Sequence, residues 1–222
     1  MNVGFERLIA AAEVQSWFTA NAAHELKTPV TVLQAGLERL PEGHEVTALR
    51  HEVRRTGRIV QQLLSLARLE GHNGNNARPT YVVAAVRDTV EPLAHLASEN
   101  GVTLAFDTKV ETLVIVAPPE TLHEIVRTLV ENAVTHAPAG SEVRITLSHD
   151  GRLTVADRGP GIPEGDGHHI FERFWRGKWT TKPGSGLGLA IVAEACERIG
   201  AQVTCAANPC GGTVLQVILV AT

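Results

Sequence analysis

Residues 18–29 have the sequence FTANAAHELKTP, which lies inside a helical pattern of apolar and small residues. That pattern alternates between steps of three and four at Ile9, Ala12, Ala23, Leu26, Val30, Leu33, Leu37 and Leu40. The spacing is typical of a coiled-coil seam and predicts one helix over residues 5–40. His24 directly follows a seam position, so we expect it on the flank of the seam, facing solvent. Pro29 cannot donate to the carbonyl of Glu25, which disturbs the helix about one turn from His24.

A second helix is predicted after a tight turn at Pro41-Glu42-Gly43. Its heptad series ends near Gly71, a typical C-terminal stop, and includes Val46, Leu49, Val53, Thr56, Val60, Leu63 and Ala67. Two helices joined by so short a turn must be antiparallel. Because a lone hairpin leaves part of its seam uncovered, we predict a homodimer in which two hairpins form a four-helix bundle. This first domain is predicted to cover residues 1–71.

Composition excludes several other classes of protein. The 222 residues carry a net charge of −4 and no basic run, so we expect no nucleic-acid partner and no direct membrane contact. No apolar run is long enough for a transmembrane helix, and residues 1–20 lack a signal-peptide pattern. Three cysteines without metal-ligand spacing indicate reduced thiols in the cytoplasm. We therefore expect a cytoplasmic location.

The pattern changes after a Gly- and Asn-rich stretch at residues 72–79, which we predict to be a linker. Strands and helices then intermingle over residues 80–222, which predicts an α/β sandwich with one mixed sheet and helices on one face. We predict strands at residues 81–83, 102–106, 113–116, 143–147, 153–156, 203–206 and 213–220. We predict helices at residues 86–97, 120–136 and 187–199, with an irregular region at 160–185.

Two short elements of this second half suggest a nucleotide site. Asn132 lies late in a predicted helix, and an amide oxygen is a suitable hard ligand for Mg²⁺. The sequence DRGPGIP (residues 157–163) directly follows a predicted strand. Its Asp157 carboxylate can accept from the exocyclic amine of adenine, and its glycines let the backbone approach a flat base. Taken alone, Asn132 is better explained as part of an ordinary helix end. An ordinary polar turn would explain residues 157–163 equally well.

Two further elements fit the phosphates of a nucleotide. IFERF (residues 170–174), with basic residues after it, suits a flap that closes over polyphosphate, although a solvated loop is the alternative. GSGLGL (residues 184–189) runs into a predicted helix, where free backbone N–H groups and the helix dipole favour anions. This loop follows no strand and lacks a Gly-Lys-Ser/Thr ending, so it fits neither the dinucleotide fingerprint nor the P-loop.

Five motifs in order resemble the catalytic core of two-component sensor histidine kinases, over about residues 17–219. They are AAHELKTP, LVENAVTHAPAG, DRGPGIP, IFERFWRG and GSGLGLAIV. The resemblance implies a phosphoacceptor hairpin followed by a Bergerat-type ATP-binding domain. The second half alone also resembles the ATPases of gyrase, the Hsp90 chaperones and MutL. Only the hairpin with His24 separates these families.

The resemblance implies roles for three residues of the hairpin. His24 would take the γ-phosphoryl group of ATP and pass it to an aspartate on the receiver domain of a response regulator. Glu25 would orient the imidazole and accept its proton as general base. Thr28 matches the position that in this family positions water for dephosphorylation of the receiver, so a phosphatase activity is also expected.

In the ATP-binding domain, the resemblance implies ATP and Mg²⁺ as cofactors. Asn132 would hold the metal, and Asp157 would accept from adenine. The remaining residues expected at the cofactor are His136, Gly159, Gly161, Ile162, Phe171, Arg173, Lys182, Gly184, Gly186, Leu187, Gly188 and Thr213.

Two departures from the family pattern leave other functions open. Thr128 stands where a further Asn is common, and Thr135 stands where a Lys is common. Both changes remove contacts to phosphate or metal, which favours the alternative of an ATP-poor dimeric docking or phosphatase module. A third possibility, an ATP-driven clamp of the gyrase or chaperone kind, has no use for His24. We expect a kinase core that belongs to an inner-membrane sensor.

Overall fold

The computed structural model describes residues 26, 28–41, 43–71, 77–177, 180, 182 and 184–220. The chain divides into two compact units, Met1–Asn73 and Gly74–Thr222. Among the described residues, no helix combines the length and the apolar character needed to cross a lipid bilayer.

The first unit contains a helical hairpin. Helix α1 is described over residues 28–38, and helix α2 spans His44–Gly71, which confirms the predicted stop at Gly71. The two helices approach closely at Gly57, where an added Cβ would lie 3.1 Å from Gln34 Nε2 and 3.2 Å from Val30 Cγ1. The part of the predicted first helix before residue 26 lies outside the described residues.

The turn of the hairpin is held by Arg50 of α2. Its Nε and Nη2 atoms donate to the carbonyl oxygen of Leu37 at 3.0 and 2.8 Å, and Nη2 also donates to that of Leu40 at 2.9 Å. The last carbonyl groups of a helix have no partner within the helix. One guanidinium therefore satisfies the carbonyl end of α1 and joins it to α2.

The apolar seam of α1 is only partly covered by the hairpin. Leu37 is buried, with 7% of its surface exposed, and Val30 is half-buried. A second row of leucines, spaced seven residues apart, remains exposed: Leu26 at 50%, Leu33 at 55% and Leu40 at 47%. The hairpin therefore covers one row of its seam and leaves the other in solvent.

The second unit begins with β1 (Arg78–Tyr81), α3 (Val82–Glu99), β2 (Thr103–Thr108), β3 (Val114–Ala117) and α4 (Pro119–His136). It continues with β4 (Glu142–Leu147), β5 (Arg152–Ala156), a 3₁₀ helix (Asp166–Phe171), α5 (Gly188–Arg198), β6 (Gln202–Ala207) and β7 (Thr213–Ile218). Five strands form a sheet in the order β2-β4-β5-β7-β6. Strands β2 and β4 are parallel and the other pairs are antiparallel, which confirms the predicted mixed sheet.

The predicted strand at residues 81–83 is wrong in its position. Strand β1 ends at Tyr81, and α3 begins at Val82. The β-branched residues here suggested a strand, but Val82 and Val86 are one helical turn apart and have no exposed surface. Strand β1 pairs with β3 in a separate two-stranded sheet that was not predicted. Strand β1 also includes Arg78 and Pro79, the last two residues of the predicted linker.

The helices cover one face of the large sheet, as predicted. Val143, Ile145, Leu153, Val155, Leu215 and Val217 alternate along three adjacent strands and have at most 2% of their surface exposed. The residues between them, such as Thr146 and Thr154, are partly exposed, and their two hydroxyl groups are hydrogen-bonded to each other. Alternation of this kind is typical of a sheet with one buried face. In α4, Leu122, Ile125 and Leu129 have no exposed surface, so α4 is a central helix of the core.

Candidate functional site

Asp157 is a buried carboxylate at the end of β5. Only 4% of its surface is exposed, and its Oδ1 atom accepts from the amide N–H of Gly159 at 2.7 Å and from that of Thr213 at 3.3 Å. Burial raises the pKa of Asp157, although the two amide donors and nearby His136 act in the opposite direction. No described residue donates to Oδ2. That oxygen is therefore available to an N–H donor of a ligand, as the exocyclic amine of adenine would require.

The glycines around Asp157 are required by close backbone contacts. An added Cβ on Gly159 would lie 2.8 Å from the carbonyl oxygen of His136 and 2.9 Å from Asp157 Oδ1. Gly212 has a φ of +100°, and an added Cβ would collide with the carbonyl oxygen of Asp157. Only glycine therefore fits at these two positions, where the backbone packs against Asp157 and against the end of α4.

Asn208, which sequence reasoning did not single out, also reaches Asp157. It lies in the turn between β6 and β7, and its Nδ2 atom donates to the carbonyl oxygen of Asp157 at 2.7 Å. The sequence NPCGG (residues 208–212) does predict a turn. Nothing in that pattern shows that the turn meets a residue so far away in the chain.

His136 lies at the end of α4 between charges of opposite sign. Burial is the main cause that lowers its pKa, Asp157 opposes the shift, and Lys182 and Arg176 add to it. A pKa below 6.5 keeps the imidazole neutral at neutral pH. The predicted site residues His136, Asp157 and Lys182 therefore share one electrostatic environment.

Asn132 lies one helical turn before His136, so the two side chains share a face of α4. It is half-buried, and its amide makes no hydrogen bond within the described part of the chain. A free amide oxygen is a suitable ligand for Mg²⁺, which takes few protein ligands and retains phosphates and waters.

The segment after the 3₁₀ helix is anchored to the glycine-rich loop. Phe174 N donates to the carbonyl oxygen of Gly186 at 2.9 Å, and an added Cβ on Gly186 would lie 2.7 to 2.9 Å from the backbone of Phe174 and Trp175. Phe174 has a φ of 64°, which is strained for an aromatic residue, and 67% of its surface is exposed. This contact holds the end of the IFERF segment against the glycine-rich loop.

The basic residues of the flap differ in their partners. Arg173, predicted to face phosphate, forms an ion pair with Glu194 of α5 at 3.4 Å. Arg176 Nη2 donates to the carbonyl oxygen of Lys182 at 2.8 Å. The side chain of Lys182 is exposed. Phe171 ends the 3₁₀ helix and is half-buried, as is Ile162 earlier in the chain.

The glycine-rich loop leads into α5. Gly184 is exposed, Gly186 has a φ of +73°, and Gly188 is the first residue of the helix. Leu187 has only 1% of its surface exposed, and its N–H donates to Ser185 Oγ at 3.1 Å. The buried leucine holds the start of α5 in place, while the N–H groups of its first turn can bind an anion.

The two threonines that depart from the family pattern have hydrogen bonds within α4. Thr135 Oγ1 donates to the carbonyl oxygen of Glu131 at 2.7 Å. Thr128 is buried, and its hydroxyl donates to Glu124 Oε1 at 3.4 Å. The hydroxyl hydrogens of both threonines therefore already take part in hydrogen bonds within α4.

Three residues of the hairpin were assigned roles in phosphoryl transfer and dephosphorylation. His24 and Glu25 lie outside the described residues. Thr28 is exposed on α1.

Comparison with protein families agrees with this architecture. Residues 15–72 match the His Kinase A (phospho-acceptor) domain, and residues 117–222 match the family described as histidine kinase-, DNA gyrase B- and HSP90-like ATPase. The chain is 30% identical to Sensor protein QseC of Salmonella typhi over 213 residues, which cover 92% of this chain and 47% of that protein. It is 32% identical to Sensor protein kinase PmrB of Pseudomonas aeruginosa over 209 residues, 89% of this chain and 43% of that one.

Among solved structures, full-length ShkA in complex with AMPPNP is similar, with a TM-score of 0.68 and 29% identity. The match covers 92% of this chain and 46% of that chain. The chain thus spans about half the length of the relatives it matches. With both domains in the expected order, the chain belongs to the two-component sensor histidine kinases and contains the phosphoacceptor and ATP-binding domains of their catalytic core.

Proposed function

We propose that this chain transfers the γ-phosphoryl group of ATP to His24 and then to an aspartate of a response regulator receiver domain. The observation that carries the proposal is the buried Asp157 carboxylate, whose Oδ2 is free. Asn132, His136 and the start of α5 provide the ligands for the phosphate end. Support also comes from the phosphoacceptor match over residues 15–72, which includes His24.

In the first step, a neutral nitrogen of His24 attacks the γ-phosphorus, the bond to the β-phosphate oxygen breaks, and ADP leaves. Glu25 accepts the imidazole proton. Positioning and charge neutralisation are most of what phosphoryl transfer requires. When Mg²⁺ is bound, it neutralises phosphate charge, and Asn132 is the residue that would hold it.

Phosphoryl transfer to the receiver and dephosphorylation of the receiver both need access to the hairpin. The exposure of Thr28 on α1 supports the proposal that it positions water at a docked, phosphorylated receiver.

The proposed domains are a phosphoacceptor hairpin at residues 1–71, a linker at 72–79 and an ATP-binding domain at 80–222. Since two of the relatives are named sensor proteins, we also propose that this core is the cytoplasmic portion of an inner-membrane sensor.

The test is autophosphorylation with γ-labelled ATP and Mg²⁺. We expect acid-labile label on the wild type, no label on His24→Gln, and label reduced by about 100-fold on Asn132→Ala, because charge stabilisation of the phosphates is lost. His44→Gln, which changes an exposed histidine at the start of α2, should keep full labelling. Label that persists in His24→Gln would show that another residue accepts the phosphoryl group.

One observation favours a second function, a dimeric docking or phosphatase module with weak ATP binding. The hydroxyl groups of Thr128 and Thr135 donate within α4, where the family commonly has Asn and Lys. Calorimetry with ATP and Mg²⁺ separates the two functions. A dissociation constant far above millimolar would favour the docking module over the kinase.

A further inference from the structure

The turn between β6 and β7 is a compact structure built on Asn208. The N–H of Asn208 donates to the carbonyl oxygen of Gly212 at 3.0 Å, and its own carbonyl oxygen accepts from Gly211 N at 2.8 Å. Gly211 and Gly212 both have positive φ angles, 86° and 100°. Residues with side chains rarely adopt this conformation, so the glycines allow the turn to close.

The side chain of Asn208 makes two hydrogen bonds in different directions. Its Oδ1 accepts from the N–H of Cys210 at 3.1 Å, which belongs to the turn itself. Its Nδ2 donates at 2.7 Å to the carbonyl oxygen of Asp157, which belongs to the end of β5. The half-buried amide thus connects the turn to the residue that carries the buried carboxylate.

This bond completes the set of contacts that fix Asp157. Its N–H donates to the carbonyl oxygen of Thr213 at 2.9 Å, its carbonyl oxygen accepts from Asn208, and its Oδ1 accepts from two amides. Gly212 lies against the same carbonyl. With the backbone and Oδ1 both held, the direction of Oδ2 is determined by the protein.

We propose that Asn208 is a positioning residue, whose amide orients Asp157 so that Oδ2 selects the exocyclic amine of adenine. The inference rests on the proposed function, because it assumes that Asp157 accepts from adenine. It goes further by assigning base selection to a turn that has no part in the recognised motifs.

The experiment compares the binding of ADP and IDP, with Mg²⁺, by calorimetry on the 222-residue chain. Hypoxanthine has a carbonyl oxygen where adenine has its amine, so it offers Asp157 no exocyclic donor. The test variant is Asn208→Asp, which keeps the acceptor for Cys210 but replaces the donor to Asp157 with a second oxygen. We expect the preference for ADP over IDP to fall by about 5- to 30-fold, as for one lost hydrogen bond in a charged site.

A matched control is Asn100→Asp. The amide of Asn100 also donates to a main-chain carbonyl, that of Leu96 at 2.8 Å, but it lies at the end of α3. This variant should keep the wild-type preference. Asn208→Ala removes both side-chain hydrogen bonds, so its preference for ADP over IDP should fall as in Asn208→Asp. If the new charge in Asn208→Asp prevents folding, Asn208→Ala is the test variant instead.

The outcomes separate the inference from the function on which it rests. A wild-type preference that is unchanged in both Asn208 variants overturns the inference and leaves the function intact. Equal weakening of ADP and IDP also overturns it, because that result indicates only a structural role. If the wild type binds ADP and IDP with equal affinity, Asp157 does not discriminate between the two bases. That result overturns both the inference and the assignment of Asp157 as the acceptor for adenine.

Discussion

At His136, a single side chain experiences burial and charges of both signs. Burial, Lys182 and Arg176 favour the neutral imidazole, and Asp157 favours the charged one; the net effect is a pKa below 6.5. The unfolded chain therefore binds a proton more readily than the folded one. The contribution of neutral His136 to stability is present above pH 6.5 and is lost as the pH falls through the lower, folded pKa.

The prediction concerns His136→Gln, which removes this titration. Between about pH 7.5 and about pH 5.5, the wild type should lose more free energy of unfolding than the variant does. Asp157 acts in the opposite direction, since its raised pKa favours folding in acid, but it is present in both proteins. Urea unfolding at the two pH values measures the difference.

The control for this measurement is His149→Gln, which changes an exposed histidine after β4 and should follow the wild type. If the free energy of unfolding depends on pH in the same way in the wild type and in His136→Gln, the pKa of His136 is not lowered by folding.

At the level of elements, the join between α1 and α2 depends on one charged side chain. Arg50→Gln removes the guanidinium that binds the carbonyl oxygens of Leu37 and Leu40. Because these bonds are partly exposed, we expect a loss of about 1 kcal/mol in the stability of the hairpin. Hydrogen exchange at the end of α1 and at the start of α2 should become faster in the variant.

Arg54→Gln is the matched control for Arg50, because Arg54 is exposed one turn further along α2 and has no partner among the described residues. Exchange that is equally slow in Arg50→Gln and Arg54→Gln would show that the Arg50 hydrogen bonds are not needed to hold the end of α1.

The elements differ in how well the sequence predicts them. Helix α4 was predicted at 120–136 and spans Pro119–His136, since its apolar period is strong and its core face is fully buried. The start of α3 was missed because its valines favour a strand locally, and burial against the rest of the unit decides otherwise. Asp157 could be singled out from its motif as a candidate acceptor for adenine. Asn208 could not, because its contact with Asp157 joins residues 51 positions apart.

For the whole molecule, the uncovered leucine row of α1 bears on the predicted homodimer. Leu26, Leu33 and Leu40 are exposed at heptad spacing beside the row that contacts α2. Burying such a row requires another helical surface, and a second copy of the hairpin supplies one. This pattern supports the proposed four-helix homodimer.

We expect Leu33→Glu to convert the homodimer to a monomer, because the dimer would bury a charge without a partner. Analytical ultracentrifugation at micromolar protein measures the change. Val116→Glu is the control: Val116 is similarly exposed, at 51%, but lies on β3 in the other unit. A Leu33→Glu protein that still sediments as a dimer would place the interface elsewhere.

The contact between Phe174 and Gly186 has a consequence for variation in this enzyme. Because the N–H of Phe174 bonds to the carbonyl oxygen of Gly186, the two ends of the segment between them are held next to each other. Lengthening a closed loop adds only about 0.6 kcal/mol of closure entropy per doubling. Insertions between these two anchors can therefore accumulate without displacing Asp157 and the glycines that contact it.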